Sequence, residues 1–428
     1  VARFGAWSSK AFTKSRVGDQ YAHRFSIHFP NEERSAGRPV RTRPIYQMQK
    51  EMGAVMGLNY GWEHPLWFAE TPGVKDTNGF TRQNWFEPVG KECKMLREKA
   101  GIIDISNFAK YVVQGKKGRD WLDAVFANKM PTEVGRSCLT PLISRRGGLA
   151  GDFTVTLIAQ DEYWIFGSGM AERYHKRFFD SVPLPEGVRF DSRTEAVCGF
   201  NLAGPLSRKI LQRLTNTSLN NEDFQFMRSK CADLAGIDVK MLRVSFTGDL
   251  GWEVHCNTAD QKALYTALLE TGKEFGVGPV GSRALMAMRV EKGYGSWSRE
   301  YSPEYWPHEQ GMDRLCKMDK DFLNKAALQA VLAQEPREQM VLLHLNEAAV
   351  TASNADATGG EPVFKDGNGV GRVTSGAYGY SVGLSLALAM VKDVGPGDEV
   401  EVMVLGQPHK AKILHQPPFD PTGKKLRA

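Results

Sequence analysis

Hydrophobic residues change their spacing several times along these 428 residues, and the changes mark the expected elements. Apolar positions recur at helical spacing over 89–100, 120–126, 171–179, 206–214, 259–275 and 281–291. Strand-like runs occupy 101–105, 109–113, 151–158, 163–166 and 241–246, the last leading into a glycine turn at 248–253. Strands and helices interleave without the rhythm of a parallel sheet, so the pattern predicts an α+β body.

The two ends read differently. A helix is expected at 8–21, after which Pro30, Pro39 and Pro44 punctuate any regular element. Gly61-Trp62-Glu63-His64-Pro65-Leu66-Trp67-Phe68 is aromatic-heavy and is expected to pack as an arm against a larger body; 76–83 reads as a surface loop. From Met340 onward short strands alternate with turn signals such as Lys365-Asp366-Gly367-Asn368-Gly369 and Gly395-Pro396-Gly397-Asp398. That is the pattern of a small all-β barrel or sandwich. The expected division is an arm at 1–80, a body at 81–335 and a β domain at 336–428.

Composition narrows the function classes. Hydrophobic residues at 42% and charged residues at 24% are ordinary for a globular protein. A net charge of +6 suits an anionic ligand only weakly, and short clusters such as Lys116-Lys117 form no basic stripe. No nucleic-acid partner is therefore expected. The six cysteines are well separated and form no C-x-x-C pair, which favours a reducing compartment over a disulfide framework or zinc site. The nine histidines form no metal-binding pattern, so no metal is expected. No apolar run approaches about 18 residues, so no membrane partner is expected. Cytoplasm, or the mitochondrial matrix in a eukaryote, is the expected location. The chain opens on Val1, which fits either processing or a piece of something longer.

Two short stretches carry the candidate chemistry: Gly147-Gly148-Leu149-Ala150-Gly151-Asp152-Phe153-Thr154-Val155-Thr156 and Thr247-Gly248-Asp249-Leu250-Gly251-Trp252-Glu253-Val254-His255. Each sets a carboxylate beside a strand-like run among glycines that allow close backbone approach. Asp152 reads either as a turn aspartate or as a group that accepts a proton from a ligand amine. Glu253 reads as an exposed strand glutamate or as a carboxylate accepting two parallel hydrogen bonds from a flat, nitrogen-rich ring. Gly251 keeps that approach open, and Trp252 reads as core. Arg289-Val290-Glu291 closes a helix and enters an aromatic loop with Tyr294 and Trp297. Arg289 and Glu291 read as a structural ion pair or as ligand contacts, and the two aromatic residues as a pocket wall or core.

In this order, together with Pro307-His308-Glu309-Gln310-Gly311-Met312 and Gly371-Arg372-Val373-Thr374-Ser375-Gly376, the motifs resemble the folate-binding aminomethyltransferase family, the glycine-cleavage T-protein and its relatives. His28 to Arg34, Gly37-Arg38-Pro39 and Asn84-Trp85-Phe86-Glu87 resemble the segment joining the flavin and folate halves of dimethylglycine and sarcosine dehydrogenases. The resemblance implies a tetrahydrofolate site in a central cavity, with Asp152 catalytic and Glu253 recognising the pterin. It places Phe166 and Phe246 among lining residues, with Phe246 where relatives usually carry Tyr. Thr154, Arg289, Tyr294 and Trp297 complete the implied binding set. An arginine that precedes the Arg-x-Glu pair in the T-protein is replaced by Leu285, with Arg283 nearby. No G-x-G-x-x-G follows a strand, so FAD is not expected on this chain. The implied partners are a methylamine or onium substrate and a flavin-containing subunit or domain.

The expected function is formation of 5,10-methylenetetrahydrofolate from an iminium or formaldehyde released by oxidative demethylation of dimethylglycine, sarcosine or a similar methylamine. Two alternatives share the fold: a flavin-independent demethylase passing a methyl group to tetrahydrofolate, and a non-catalytic regulatory subunit. The aspartate and the joining segment favour the first reading.

Overall fold

A computed structural model describes residues 9–428, so the first residue of the helix expected at 8–21 lies outside the described residues. Ser9 accepts a hydrogen bond from the Phe12 amide at 3.1 Å and caps α1 (Lys10–Ala22). After α2 (Tyr46–Glu51) comes a hairpin of β1 (Ala54–Asn59) and β2 (Trp62–Phe68). Trp67, 1% exposed, packs in one cluster with Leu96, Val280 and Ala284, so the aromatic segment is anchored against the body. Burying a side chain of this size contributes about 3 kcal/mol.

The body begins with α3 (Phe86–Glu98), β3 (Gly101–Asp104), β4 (Ala109–Gln114) and α4 (Gly118–Val125). It continues through β5 (Ser137–Ile143), β6 (Leu149–Ala159), β7 (Glu162–Gly167), α5 (Glu172–Phe179), β8 (Arg189–Ser192) and β9 (Val197–Ala203). Then come α6 (Ser207–Gln212), β10 (Ser229–Leu234), β11 (Ile237–Leu242), β12 (Gly251–Asn257) and α7 (Gln261–Lys273). Last are β13 (Gly278–Val280), α8 (Ser282–Glu291) and α9 (Lys325–Leu332).

The strands form two sheets, ordered β10-β11-β12-β9-β3-β13 and β5-β6-β7-β4-β8. Each sheet has one face covered by helices, because strand residues alternate between faces. Phe200, Leu202 and Val254 pack with Leu264 and Leu268 of α7, while Tyr111, Val113 and Ile165 pack with Trp121 of α4 and Phe179 of α5. The opposite faces meet each other: Val112, Trp164 and Phe166 of one sheet join Val197 and Leu242 of the other. That inter-sheet layer is where the candidate residues lie.

The strand expected at 241–246 stops at Leu242. The buried Arg243 guanidinium donates to the Phe224 carbonyl at 2.6 Å and to the carbonyls of Arg427 and Ala428. The Arg243 backbone still exchanges hydrogen bonds with Met227 and Arg228, the Val244 amide turns back to the Leu242 carbonyl at 3.0 Å, and sheet pairing resumes at Gly251, inside the expected turn.

The C-terminal region is a closed barrel with one short helix, α10 (Glu347–Ser353), between its first two strands. Its strands are β14 (Gln339–Leu345), β15 (Pro362–Lys365), β16 (Asn368–Gly379), β17 (Leu384–Val391), β18 (Glu399–Val404) and β19 (Gln407–Ile413). They close in the order β14-β17-β16-β15-β18-β19. The barrel rests on α8, with Leu342, Leu386 and Leu388 packed around Val290. Among the described residues no helix is long and apolar enough to cross a membrane, and no group of His, Cys, Asp or Glu is placed to hold a metal.

Candidate functional site between the two sheets

Register fixes what faces the inter-sheet space. Thr154 pairs with Phe166 and Thr156 with Trp164 across β6 and β7; Lys110 and Val112 of β4 pair with the same two aromatic residues. Since Trp164, Phe166 and Val112 line the inter-sheet layer, alternation puts Asp152, Thr154 and Lys110 on that face as well. On the other sheet, Leu242, Glu253 and Asn201 form one cross-strand row on the face toward β7. His255, two residues beyond Glu253, shares its face, and its ring stacks on Phe166 at 4.5 Å between centroids. This contact brings the two sheets together at the site.

Asp152 is half-buried. Burial pushes its carboxyl up to about 6, opposed only by its own backbone N–H. Among the described residues no cation offsets that shift, and Tyr301 lies within electrostatic reach. A carboxyl that titrates near neutrality is fitted to take up and return a proton. Glu253, with 16% of its side chain exposed, has one oxygen 3.4 Å from His255 Nε2. Beside it, Asn201 is 4% exposed; its amide donates to the Val244 carbonyl at 3.4 Å while its Oδ1 is buried without a partner. Two acceptors thus sit side by side on adjacent strands, matched to a flat ring with neighbouring N–H donors.

Lys110 is fully buried and donates to the Ser106 and Phe108 carbonyls at 3.0 and 2.9 Å. Burial, then the nearby Arg43, pulls its ammonium down to about 7 despite the opposing fields of Cys198, Asp104 and, least, Glu253. Gly251 serves packing: a Cβ there would lie 3.1 Å from both Ala203 and Ser245. Trp252 is fully buried in the outer core, as expected.

The other expected residues lie around this centre in different ways. Phe246 and Tyr294 stack at 6.0 Å and 23°, joining the loop before β12 to the segment after α8. Trp297 packs edge-on to His175 at 5.0 Å, beside Tyr174, so it contacts α5. Arg289, 1% exposed, donates to Glu300 at 2.7 Å, to the Tyr294 carbonyl at 2.9 Å and to Ser375 of the barrel at 2.6 Å. Glu291 binds Arg97 and the Ser381 amide, so Arg289 and Glu291 pair elsewhere rather than with each other. Arg283 is held by both carboxylate oxygens of Asp76 and lies over Trp85, while Leu285 joins the hairpin cluster.

Lys110, Asn201 and His255 were not among the sequence candidates. Their signals were present: a charge opening the apolar run Tyr111-Val112-Val113, an amide inside Cys198-Gly199-Phe200-Asn201-Leu202-Ala203, and an imidazole at strand spacing from Glu253. A separate groove of about 510 Å³, lined by residues including Glu133, Arg228 and Cys231, contains none of the expected site residues.

The family model for the GCVT N-terminal domain matches residues 45–320. The chain belongs to that family. The glycine cleavage T-protein C-terminal barrel domain matches 339–420, and the FAD dependent oxidoreductase central domain matches 1–42. Mitochondrial dimethylglycine dehydrogenase of Mus musculus is 33% identical over 97% of this chain and 48% of that protein. The 4-methylaminobutanoate oxidase (formaldehyde-forming) of Paenarthrobacter nicotinovorans is 27% identical over 100% of this chain and 52% of its own length. The chain thus spans about half the length of these curated relatives. The glycine cleavage system aminomethyltransferase T of Bartonella henselae superposes with a TM-score of 0.76 at 21% identity, covering 89% of this chain and 98% of that one. That likeness shows the fold.

Proposed function

We propose that this chain is the tetrahydrofolate-dependent one-carbon transfer unit of a methylamine-oxidising system. It would form 5,10-methylenetetrahydrofolate from an iminium or formaldehyde. The observation that carries this reading is the placement of Asp152 and the Glu253–Asn201 acceptor pair on the faces that the two sheets turn toward each other. Tetrahydrofolate, when bound, supplies the nitrogens that receive the carbon. The residues fit such a group: the partnerless Asn201 Oδ1 and the Glu253 carboxylate are acceptors for the amino and ring N–H edge of a pterin. Phe166 offers an aromatic wall beside them.

Asp152 holds a proton at its carboxyl oxygens and exchanges it near neutral pH, and its ionised form stabilises positive charge developing on the carbon donor. The two sheets exclude water around that exchange and hold both reactants in one space. The match of 1–42 to a flavin oxidoreductase central domain, and the oxidases and dehydrogenases among the relatives, support a flavin-bearing domain or subunit as the source of the carbon.

The test is the rate of methylenetetrahydrofolate formation from formaldehyde and tetrahydrofolate, corrected for the uncatalysed condensation. Wild type should exceed the background, and Asp152→Asn should lower the catalysed rate by about 100-fold or more. A wild-type rate equal to background, or an unaffected variant, overturns the assignment.

A further inference from the structure

We infer that His255 is a positioning residue that fixes the Glu253 carboxylate for ligand recognition through an Nε2–H donor; this rests on the proposed folate reading of the site. A carboxylate only accepts hydrogen bonds, so the 3.4 Å contact between His255 Nε2 and Glu253 Oε2 requires the proton on Nε2. That tautomer leaves Nδ1 as a bare acceptor, and Nδ1 is indeed buried without a partner. The ring is closely packed. Phe166 stacks on one face at 4.5 Å, and a Cβ on Gly199 would lie only 2.5 Å from Nδ1. Glycine at 199 is therefore what admits the imidazole.

Burial favours the neutral ring, as do the Lys110 and Lys240 charges, against the opposing pull of Glu253. With one Glu253 oxygen held this way, the other is left for a ligand N–H beside Asn201 Oδ1. His255 touches no reacting atom in this scheme; it acts through Glu253.

Substitutions separate the donor from the bulk of the ring. The Gln Nε2 amide reaches the place of His Nε2, the Asn amide reaches only that of Nδ1, and Leu has neither. Binding of folinic acid should stay within about twofold of wild type in His255→Gln and weaken about tenfold, near 1.4 kcal/mol, in His255→Asn and His255→Leu. Urea unfolding of each variant shows whether the fold is intact.

Independently of any ligand, ¹⁵N spectra of histidine-labelled protein should show His255 as the Nε2–H tautomer, identified by the signal lost in His255→Gln. That preference should weaken in Glu253→Ala. An Nδ1–H tautomer in wild type, or a Gln variant as weak as Leu, overturns the inference while leaving the folate reading intact. A wild-type protein that binds no folinic acid overturns both.

Discussion

Replacing Asp152 with Asn should make the protein more stable at neutral pH while slowing catalysis. Burial without a cation raises this carboxyl from its ordinary 3.8 to about 6. Such a difference corresponds to about 3 kcal/mol, which solvent screening of this half-buried residue reduces to about 1–2 kcal/mol. The sign follows from proton binding. The folded state holds the proton more tightly than the unfolded chain does. The cost is therefore absent below about pH 4, grows as pH rises through 4 to 6, and is constant above that. Asn keeps the shape and removes the charge. Urea unfolding of both proteins at pH 4.5, 6 and 8 isolates this group, because all other titrations cancel in the difference. The variant should gain on wild type with rising pH and level off near 1–2 kcal/mol. A difference that stays constant with pH, or that favours wild type as pH rises, would refute an unpaired buried carboxylate at this position.

Two further substitutions separate structural from ligand roles. Arg289→Met leaves Glu300 buried and uncompensated, so it should destabilise the protein by about 3–5 kcal/mol; adding Glu300→Gln should recover much of that, measured by urea unfolding. Lys110→Met removes a buried ammonium whose folded-state value is pulled down to about 7, so in the same assay wild type should gain on the variant as pH rises from about 7 to about 10, with a flat difference below about pH 6.

Much of the fold was legible because its longest periodic segments are amphipathic in the ordinary way. The helices expected at 89–100 and 281–291 correspond to α3 and α8, and the strand at 151–158 to β6. The C-terminal turn signals separate strands that close into a barrel. What escaped was set by distant contacts. At the end of β11 the Val244 amide turns back to the Leu242 carbonyl while the buried Arg243 reaches the carbonyls of Arg427 and Ala428, contacts that no local pattern encodes. The hairpin β1–β2 hides in an aromatic run because both of its faces find partners.

The site divides in the same way. Asp152 and Glu253 stood out through their glycine-rich surroundings, whereas Lys110, Asn201 and His255 join them only through register across two sheets. Arg289 read equally as half of a structural ion pair or as a ligand contact, and its bonds to Glu300 and Ser375 tie the body to the barrel.

The central claim is that the space between the two sheets binds a folate through Glu253. Calorimetric titration of wild type and Glu253→Ala with folinic acid tests it most directly. The account predicts micromolar binding by wild type and a loss of at least tenfold in the variant, as expected for removing a charged acceptor. No binding by wild type, or equal binding by both proteins, would contradict it.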